Sequence, residues 1–247
     1  MQSSLALGVP PPLDSLMAEA PIALFLDFDG TLVELAESPD AIAPLLDMSD
    51  RLAALSKRMG GRLAVVSGRS IADIEKHVGP LSVAAAGSHG SDIRGGDGQS
   101  LGASAAEFPR EIEQDLRAFA KSEGINYEQK PHGGALHYRS NPELGPKTLS
   151  FAKDLADKHG WAVQSGKCVA ELVAKGVNKG DAVLAFMKTA PFKGARPVFI
   201  GDDITDEAGF RICRDLGGAA VAVGNRETTS ANFNLPNVAA VHEWLEL

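Results

Sequence analysis

A chain of 247 residues with 44% hydrophobic and 23% charged side chains is long enough to bury a substantial core and is typical of folded rather than disordered proteins. Its formal net charge of -8 and the lack of any basic run argue against nucleic acid as a partner, because nucleic-acid-binding proteins usually present clustered Lys and Arg. The chain has no apolar stretch near the ~18 residues of a membrane span, no Lys or Arg before residue 21, and no metal-ligand spacing of cysteines, so we expect a cytoplasmic protein without leader, anchor, disulfide or zinc site.

Strand and helix patterns alternate in the first third of the chain, after a stretch that contains Pro10-Pro11-Pro12. We interpret residues 1–20 as a loose arm, because prolines withhold backbone donors and hold the chain out of a helix. The periodicities then predict, in order, a strand from Ile22, a helix over residues 44–59, a strand over 62–66, a helix from Ile71 and a strand over 81–86. Such alternation indicates a parallel sheet covered on both faces, with functional loops at the carboxyl ends of its strands.

Residues 107–173 follow a different pattern. A helix, two strands, a second helix and two more strands succeed one another, and strands joined by short turns favour antiparallel pairing. The first pattern then returns, with a helix over 178–188, a strand over 197–200, a helix over 207–215 and a strand over 219–223. We therefore expect a doubly wound α/β core of residues 21–106 and 174–247, with a smaller α/β domain of residues 107–173 inserted in it.

Two aspartates end the first predicted strand in the segment LFLDFDGTL. Asp27 and Asp29 are two residues apart, so in an extended chain their side chains share one face and can approach one cation. Gly30 then permits a sharp turn. Calcium loops and ordinary surface turns also contain Asp-x-Asp, so this motif alone leaves its role open.

A second acidic cluster, VFIGDDITDE, follows the strand over 197–200. Asp202 and Asp203 would then lie at the same sheet edge as Asp27, and a hard divalent cation with an open site for phosphate, Mg2+ in particular, would neutralise them. The alternative is that Asp203, Thr205 and Asp206 cap the following helix, since Asp and Thr are good N-cap residues. This alternative applies more to Asp206 than to Asp202.

Two further motifs supply groups that bind phosphate. VVSGRS places Ser67 just after a strand at the predicted start of a helix, where backbone N–H groups and the helix dipole favour an anion. VNKGD places Lys179 at the start of another helix. Ser-Gly pairs are common and single lysines are usually solvated, so only their position beside two acidic strand ends favours phosphate binding.

Four ordered motifs together resemble those of the haloacid dehalogenase superfamily: Asp27-Phe28-Asp29-Gly30-Thr31, Ser67, Lys179 and Gly201-Asp202-Asp203. The resemblance implies a Rossmann-like core and an insert like that superfamily's C2-type cap. It also implies that Asp27 attacks phosphorus, that Asp29 acts as acid and base, and that Ser67 and Lys179 hold the phosphoryl group. Mg2+ would be bound by the Asp27 carboxylate, the backbone carbonyl of Asp29 and Asp202, with Asp203 and Asp206 around it. Phe28 stands where Tyr is frequent, and we expect it to point away from the two acids.

Within that superfamily the chain resembles the trehalose-6-phosphate phosphatase family over nearly its full length. The segments that carry the resemblance are GSHGSDIR at 87–94, ALHYR at 135–139, GKCVAEL at 166–172, KGVNKGDAV at 175–183 and GDDITDE at 201–207. Alternation in GKCVAEL places Lys167, Val169 and Glu171 on a face that looks outward, and Cys168, Ala170 and Leu172 on the face that packs. The same count places His137 and Arg139 opposite Leu136 and Tyr138. From the residues alone, both polar faces are more simply ordinary solvated surface, but the resemblance implies that this cap recognises sugar hydroxyls. The substrate-binding residues that it implies are Gly30, Thr31, Arg69, His89, His137, Arg139, Lys167 and Glu171.

The function that the resemblance implies is Mg2+-dependent hydrolysis of trehalose 6-phosphate to trehalose and phosphate through an aspartyl-phosphate intermediate. The partner is then a small molecule, with neither nucleic acid nor membrane involved, and a monomer is expected although oligomers stay open. One alternative is a phosphatase of another sugar phosphate with the same core. Another is a receiver-like phosphoacceptor module, against which the long insert and Asp29 both argue, since a receiver needs neither.

Overall fold

The computed structural model describes residues 7–35, 47–101, 107–166, 168–226 and 229–247. The chain divides into two units, Met1–Gly102 with Asn178–Leu247, called here the core unit, and Ala103–Val177, called the inserted unit. None of the helices in these described ranges has the length and apolar character that a membrane span requires.

The elements are numbered in chain order. The helices are α1 (Leu13–Glu19), α2 (Met48–Arg58), α3 (Ile71–Val78), α4 (Arg110–Glu123), α5 (Gly145–His159), α6 (Lys179–Met187), α7 (Glu207–Asp215) and α8 (Val238–Leu245). The strands are β1 (Ile22–Leu26), β2 (Leu63–Val66), β3 (Ala84–Gly87), β4 (Asp92–Arg94), β5 (Asn126–Lys130), β6 (Gly133–His137), β7 (Trp161–Gly166), β8 (Val169–Ala174), β9 (Arg196–Gly201), β10 (Ala219–Val223) and β11 (Phe233–Leu235).

The core unit is built on a sheet in the order β11-β10-β9-β1-β2-β3-β4. Its strands pair in parallel except for β4, which runs antiparallel to β3 at one edge. The predicted α/β fold with a parallel sheet is therefore confirmed, with one antiparallel edge strand added. The sequence prediction missed β4, β11 and α8; the two strands have only three residues each, which is too short to show an alternating pattern.

The central strand β1 shows why both faces of this sheet are covered. Its five residues are apolar and fully buried, as expected of a strand that lies between two layers of helices. Ile22, Leu24 and Leu26 pack in the apolar cluster that α1, α2, α3 and α8 join, whereas Ala23 and Phe25 pack in the cluster that α6 and α7 join. The carboxyl end of β1 is therefore held rigidly from both sides.

The interpretation of residues 1–20 as a loose arm is wrong for the described part. Residues 13–19 form α1, and Leu13 and Leu16 are buried in the core. Pro12 stands directly before the helix, where a fixed backbone angle suits the first turn, so the prolines lead into a helix rather than prevent one. The backbone N–H of Asn234 also donates to the carbonyl of Gly8, which attaches this segment to β11.

The inserted unit consists of an antiparallel sheet in the order β5-β6-β8-β7 and the helices α4 and α5. Apolar residues of both helices, including Leu116 and Leu155, pack with Leu136 and Leu172 of the sheet in one cluster. Each helix ends at a glycine with a left-handed backbone, Gly124 after α4 and Gly160 after α5. One face of the sheet is thus covered by helices, which leaves the polar side chains for the other face.

Candidate active site

Neighbouring strands β1 and β9 deliver their acidic residues to one edge of the core sheet. Leu26 pairs with Ile200, and the backbone N–H of Asp27 donates to the carbonyl of Ile200 at 2.9 Å. Because the two strands are parallel, Asp27 and Asp202 both follow a carboxyl end and meet there. The predicted convergence of the two acidic motifs is confirmed.

Three carboxylates and one ammonium group form the centre of this edge. Carboxylate oxygens of Asp27, Asp202 and Asp206 lie within 4.8 Å of one another. Lys179, the first residue of α6, places its Nζ 2.7 Å from Oδ1 of Asp27 and 2.6 Å from Oδ1 of Asp206. The Lys179 side chain is only 3% exposed, so its charge is buried together with those of its partners. Three carboxylates against one lysine leave the cluster negative.

The pKa directions in the cluster follow from burial and from this excess of acids. Burial, then the charge of Asp206, raises the pKa of Asp27 well above its usual range, although Lys179 opposes the shift. Burial and Asp206 likewise raise the pKa of Asp202 to about 7. Burial disfavours the charged lysine, but Asp206 and Asp27 outweigh that effect and raise the pKa of Lys179. The acids are therefore short of positive charge.

The donor set fits a hard divalent cation. Oxygen ligands from carboxylates are the type that Mg2+ and Ca2+ prefer. Gly30 leaves room for the Asp202 carboxylate, because a Cβ at this position would lie 2.2 Å from Oδ2 of Asp202. Its φ of +73° is also one that residues other than glycine rarely adopt. The described residues thus include an acidic cluster that could hold a metal ion, whose identity the cluster does not fix.

Asp206 has a double role that the sequence presented as two alternatives. Its Oδ1 accepts from Lys179, and its Oδ2 accepts from the backbone N–H of Asp203 at 2.9 Å, which completes a capping box before α7. Both oxygens already accept hydrogen bonds, so the side chain is better suited to holding Lys179 than to direct metal ligation. The backbone carbonyl of Asp203 accepts from Arg226, which also forms an ion pair with Glu207.

The side chain of Asp29 lies outside the carboxylate cluster. Its two oxygens accept hydrogen bonds from Arg69, at 2.7 Å from Nε and 2.9 Å from Nη2. The expectation that the side chains of Asp27 and Asp29 approach one cation is therefore wrong, because Asp29 pairs with Arg69 instead of joining the cluster. That the backbone carbonyl of Asp29 is a metal ligand stays a prediction. Phe28 is fully buried in the apolar core, and the guanidinium carbon of Arg69 lies 5.9 Å from the centre of its ring. That Phe28 points away from the two acids stays a prediction.

Two hydroxyl groups lie at the ends of β1 and β2. Thr31 is fully buried, and its Oγ1 has no hydrogen-bond partner among the described residues. Ser67 is 1% exposed, and its Oγ accepts from the backbone N–H of Arg69 at 3.1 Å. The expectation that Ser67 stands at the start of a helix is wrong: α3 begins at Ile71 and Ser70 caps it, because the Ser70 side chain accepts from the N–H of Asp73. Ser67 instead belongs to a loop over residues 67–70.

His89 supports that loop from the neighbouring strand end. It is buried, has a left-handed φ of 59°, and donates its backbone N–H to the carbonyl of Ser67 at 2.9 Å. A Cβ on Gly68 would lie 2.6 Å from the imidazole, so the ring packs directly against the loop. Whether His89 also binds substrate, as predicted, stays a prediction.

The polar face of the inserted sheet carries one ion pair and one hydrogen bond between a histidine and a carboxylate. Nζ of Lys130 lies 2.8 Å from Oε2 of Glu171, and Nε2 of His137 lies 2.7 Å from Oε2 of Glu128. Burial disfavours a charged Glu128, but its hydrogen bond to His137 and the charge of Lys130 outweigh it and lower the pKa of Glu128. Arg139 is exposed.

The predicted alternation is confirmed for Ala170, Glu171 and Leu172, but the expected exposure of Glu171 is wrong. Ala170 and Leu172 are fully buried in the packing layer, and Cys168, in the turn before β8 with a φ of 62°, packs against the same cluster. Glu171 lies on the opposite face but is only 5% exposed, because it stands on the inner strand β8 between Ala135 and Gln164 and pairs with Lys130. Lys167 lies outside the described residues.

Sequence reasoning missed Glu128 and Lys130. Their signal was present in the segment NYEQK, where alternate positions of a strand share a face. Asn126 pairs with His137 in register and Glu128 with Ala135, and Ala135 pairs with Glu171, which places these side chains together. The register between strands, which the sequence does not show, was needed to connect them.

Comparison with known proteins gives one consistent family. The family model described as trehalose-phosphatase matches residues 25–239. The trehalose-6-phosphate phosphatase of Escherichia coli strain K12 is 36% identical over 236 residues, which cover 92% of this chain and 86% of that protein. The probable trehalose-phosphate phosphatase of Sinorhizobium fredii strain NGR234 is 40% identical over 205 residues, covering 82% and 77%.

Solved structures agree with these relatives. The C-terminal domain of the C. albicans trehalose-6-phosphate phosphatase superposes with a TM-score of 0.79 at 25% identity, over 98% of each chain. A structure from work on a trigonal-bipyramidal intermediate in a phosphoryl-transfer superfamily superposes with a TM-score of 0.63 at 14% identity, over 91% of this chain and 96% of the other, and so shows the fold alone.

Proposed function

The chain belongs to the trehalose-phosphatase family, whose members are phosphoric monoester hydrolases, and we propose on that premise that it hydrolyses trehalose 6-phosphate to trehalose and phosphate with Mg2+. The observation that carries the proposal is the position of Asp27. This buried carboxylate stands at a strand end, bonded to Lys179 and within the acidic cluster that could hold a metal ion. That arrangement supports an aspartyl-phosphate intermediate on Asp27.

Asp27 is the proposed nucleophile. One of its oxygens attacks phosphorus in line, the new bond from oxygen to phosphorus forms, and the bond from phosphorus to the sugar oxygen breaks. The bond from Lys179 to Oδ1 orients the carboxylate and favours its ionised form. Substitution of an amide for this carboxylate removes the nucleophile while it keeps the shape of the side chain.

Asp29 is the proposed acid and base. It gives a proton to the departing sugar oxygen, and in the second step it takes a proton from the water that cleaves the aspartyl phosphate. Arg69 holds both of its oxygens at hydrogen-bond distance, so the side chain has a defined position two residues beyond the nucleophile.

Mg2+, when bound, neutralises the acidic cluster and withdraws electron density from the phosphoryl oxygens. The proposed ligands are the carboxylates of Asp27 and Asp202 with the backbone carbonyl of Asp29, while Asp203 and Asp206 form the surroundings of the ion. The hydrogen bonds that both oxygens of Asp206 already accept support this division.

Thr31, Ser67 and Lys179 are the proposed contacts of the phosphoryl oxygens. The Thr31 hydroxyl is buried without a partner among the described residues, a costly state that a phosphoryl oxygen would relieve. Charge spreads over the equatorial oxygens in phosphoryl transfer, so donors at these positions stabilise the transition state. Gly30, Arg69 and His89, predicted to bind substrate, are proposed to line the same loop cluster.

Selection of the sugar is proposed for the inserted unit. Its polar face carries Glu171 and His137, which supply hydrogen-bond donors and acceptors that suit sugar hydroxyls. Lys167, which lies outside the described residues, stays in the proposed set from the sequence prediction. Arg139 is exposed nearby in sequence and belongs to the same proposed set.

The test is release of inorganic phosphate from a panel of sugar phosphates, with and without EDTA, by the wild-type protein and the Asp27→Asn variant. We expect trehalose 6-phosphate to give the highest kcat/KM, EDTA to abolish release and added Mg2+ to restore it. Asp27→Asn should fold normally and release no phosphate. Preference for another sugar phosphate would overturn the substrate, and an active Asp27→Asn variant would overturn the mechanism.

A further inference from the structure

The Arg69 guanidinium is held by carboxylates on two different elements. Nε and Nη2 donate to the two oxygens of Asp29 at 2.7 and 2.9 Å, and Nη1 donates to Oδ2 of Asp73 at 2.7 Å. The Arg69 side chain is 12% exposed, and Asp73 lies in the first turn of α3. A bidentate pair of this kind fixes the plane of a carboxylate as well as its distance.

The backbone of Arg69 is fixed as well as its side chain. Its backbone N–H donates to Oγ of Ser67 at 3.1 Å, and its carbonyl accepts from the N–H of Ser88 at 2.7 Å. Asp73 is in turn anchored by its own backbone N–H, which donates to the side chain of Ser70 at 3.1 Å. The chain of contacts therefore runs from a rigid helix end through Asp73 and Arg69 to Asp29.

The electrostatics agree with a permanent arrangement. Burial opposes the charge on Arg69, but the hydrogen bonds to Asp29 and Asp73 outweigh it and raise the pKa of Arg69. Burial likewise opposes the charge on Asp73, but Arg69 outweighs it and lowers the pKa of Asp73. Pairs of this burial are screened less by water than surface ion pairs are.

We propose that Arg69 and Asp73 are positioning residues for the acid and base of the reaction: Asp73 holds the guanidinium, and the guanidinium holds the ionised Asp29 carboxylate in place as base and keeps one oxygen bound when the other carries the proton that the sugar oxygen receives. The proposal rests on the proposed function, in which Asp29 has that role. Asp29 follows a strand end and precedes the turn at Gly30, so the backbone fixes its Cα but not its carboxyl group. Misplacement by about 1 Å can cost up to about 100-fold in rate.

The leaving group distinguishes positioning from a general structural role. A sugar alkoxide must receive the proton of Asp29 as its bond to phosphorus breaks, whereas p-nitrophenolate leaves without one. A displaced Asp29 should therefore slow the first step with a sugar phosphate only. In the second step Asp29 acts as the base for both substrates. p-Nitrophenyl phosphate should therefore still phosphorylate Asp27, and the aspartyl phosphate should then accumulate because its hydrolysis by water is slow.

The experiment uses Asp73→Ala, with Glu75→Ala as matched control. Glu75 lies on the same helix, its exposed fraction is close to that of Asp73, and it forms an ion pair with Arg94 rather than with Arg69. For Asp73→Ala we expect kcat/KM for the sugar phosphate to fall about 10- to 100-fold through kcat, with KM unchanged. Its kcat/KM for p-nitrophenyl phosphate should stay within about threefold, with a burst of nitrophenolate before a slow steady state. Glu75→Ala should behave as wild type on both substrates.

Arg69→Lys supplies a second variant, because an ammonium group cannot bind both oxygens of Asp29 as the fork does. It should show the same selective loss. Equal losses on both substrates by Asp73→Ala, or the same losses in Glu75→Ala, would mean a structural role and overturn the proposal. Sugar-phosphate hydrolysis within threefold of wild type in Asp73→Ala would do so as well.

Asp29→Asn separates this proposal from the function on which it rests. If Asp29→Asn loses the sugar phosphate selectively and Asp73→Ala does not, only the positioning role is wrong. If Asp29→Asn itself lacks that selectivity, the role of Asp29 in the proposed function is wrong and the positioning role is overturned with it. The comparison uses whichever sugar phosphate the wild type prefers, so an error in the substrate alone does not affect it.

Discussion

Lys179 offers the sharpest test of the acidic cluster. In Lys179→Met, the carboxylates of Asp27 and Asp206 lose an ammonium group that lies 2.7 and 2.6 Å away and is 3% exposed. Removal of one partner from a buried pair costs about 3 to 5 kcal/mol, because the other charge stays buried without compensation. Since whole domains unfold at about 5 to 15 kcal/mol, this loss would be a large fraction of the stability. We expect this loss in the free energy of unfolding in EDTA at pH 8, where the acids are most ionised.

The assay is urea unfolding with EDTA and with saturating Mg2+, and Lys76→Met is the control. Nζ of Lys76 lies 3.5 Å from Asp73 on a side chain that is 73% exposed, so its loss should change stability by less than about 0.5 kcal/mol. Mg2+ should recover part of the loss in Lys179→Met, because the cation supplies the missing positive charge. Lys179→Met should release no phosphate either in EDTA or in saturating Mg2+. A loss below about 1 kcal/mol in EDTA, or a loss that Mg2+ leaves unchanged, would refute this account of how the cluster is neutralised.

Three further predictions concern the metal, the turn and the inserted sheet. The pKa of Asp202 is raised to about 7, so the folded protein binds more protons than the unfolded one between about pH 4 and pH 7. Metal-free stability should therefore fall as pH rises from about 4 to 7 and level off above pH 7. Mg2+ affinity, measured by titration calorimetry at pH 6, 7 and 8, should rise up to about tenfold per unit towards pH 7 and then level off. A flat profile would contradict this. Gly30→Ala should weaken Mg2+ binding at least about tenfold, because the added Cβ would displace the Asp202 side chain. The control Gly98→Ala has a similar φ but open space around the added Cβ, so it should lower only the melting temperature. Glu171→Gln should lower kcat/KM for trehalose 6-phosphate about 10-fold and leave kcat/KM for p-nitrophenyl phosphate unchanged. The control Glu123→Gln, which breaks a peripheral ion pair of the same unit, should leave kcat/KM for both substrates unchanged. Equal losses of kcat/KM on the two substrates in Glu171→Gln would exclude a role in selection.

Much of the core was predictable from local patterns. The run Ile22–Leu26 is apolar at every position, and a strand of that kind must be buried on both faces. The N-terminal segment was misjudged because the three prolines suggested an irregular chain, while Leu13 and Leu16 gain their helical role only by burial in the core. The local sequence does not show that Leu13 and Leu16 find an apolar surface of the core to pack against.

The reactive edge of the sheet was also predictable, because its motifs are short and close to strand ends. Asp27 and Asp202 had to meet once both were placed after parallel strands, and the capping role of Asp206 was visible in GDDITDE. That Asp206 also binds Lys179 was not visible, since it depends on how α6 packs beside β9.

The sequence by itself determined the order of the longer strands and helices, the residues that stand at strand ends and the chemistry that they carry, because those properties depend on neighbours one to four positions away. Tertiary structure alone decided the contacts that the strand-end motifs do not predict. Arg69 meets Asp29 across forty positions of the chain, Lys130 meets Glu171 across forty-one, and Glu171 is buried rather than solvated because strands lie on both sides of it. Such contacts follow from strand order and register, and these are set by the burial of the whole apolar core, which no local segment of the sequence contains.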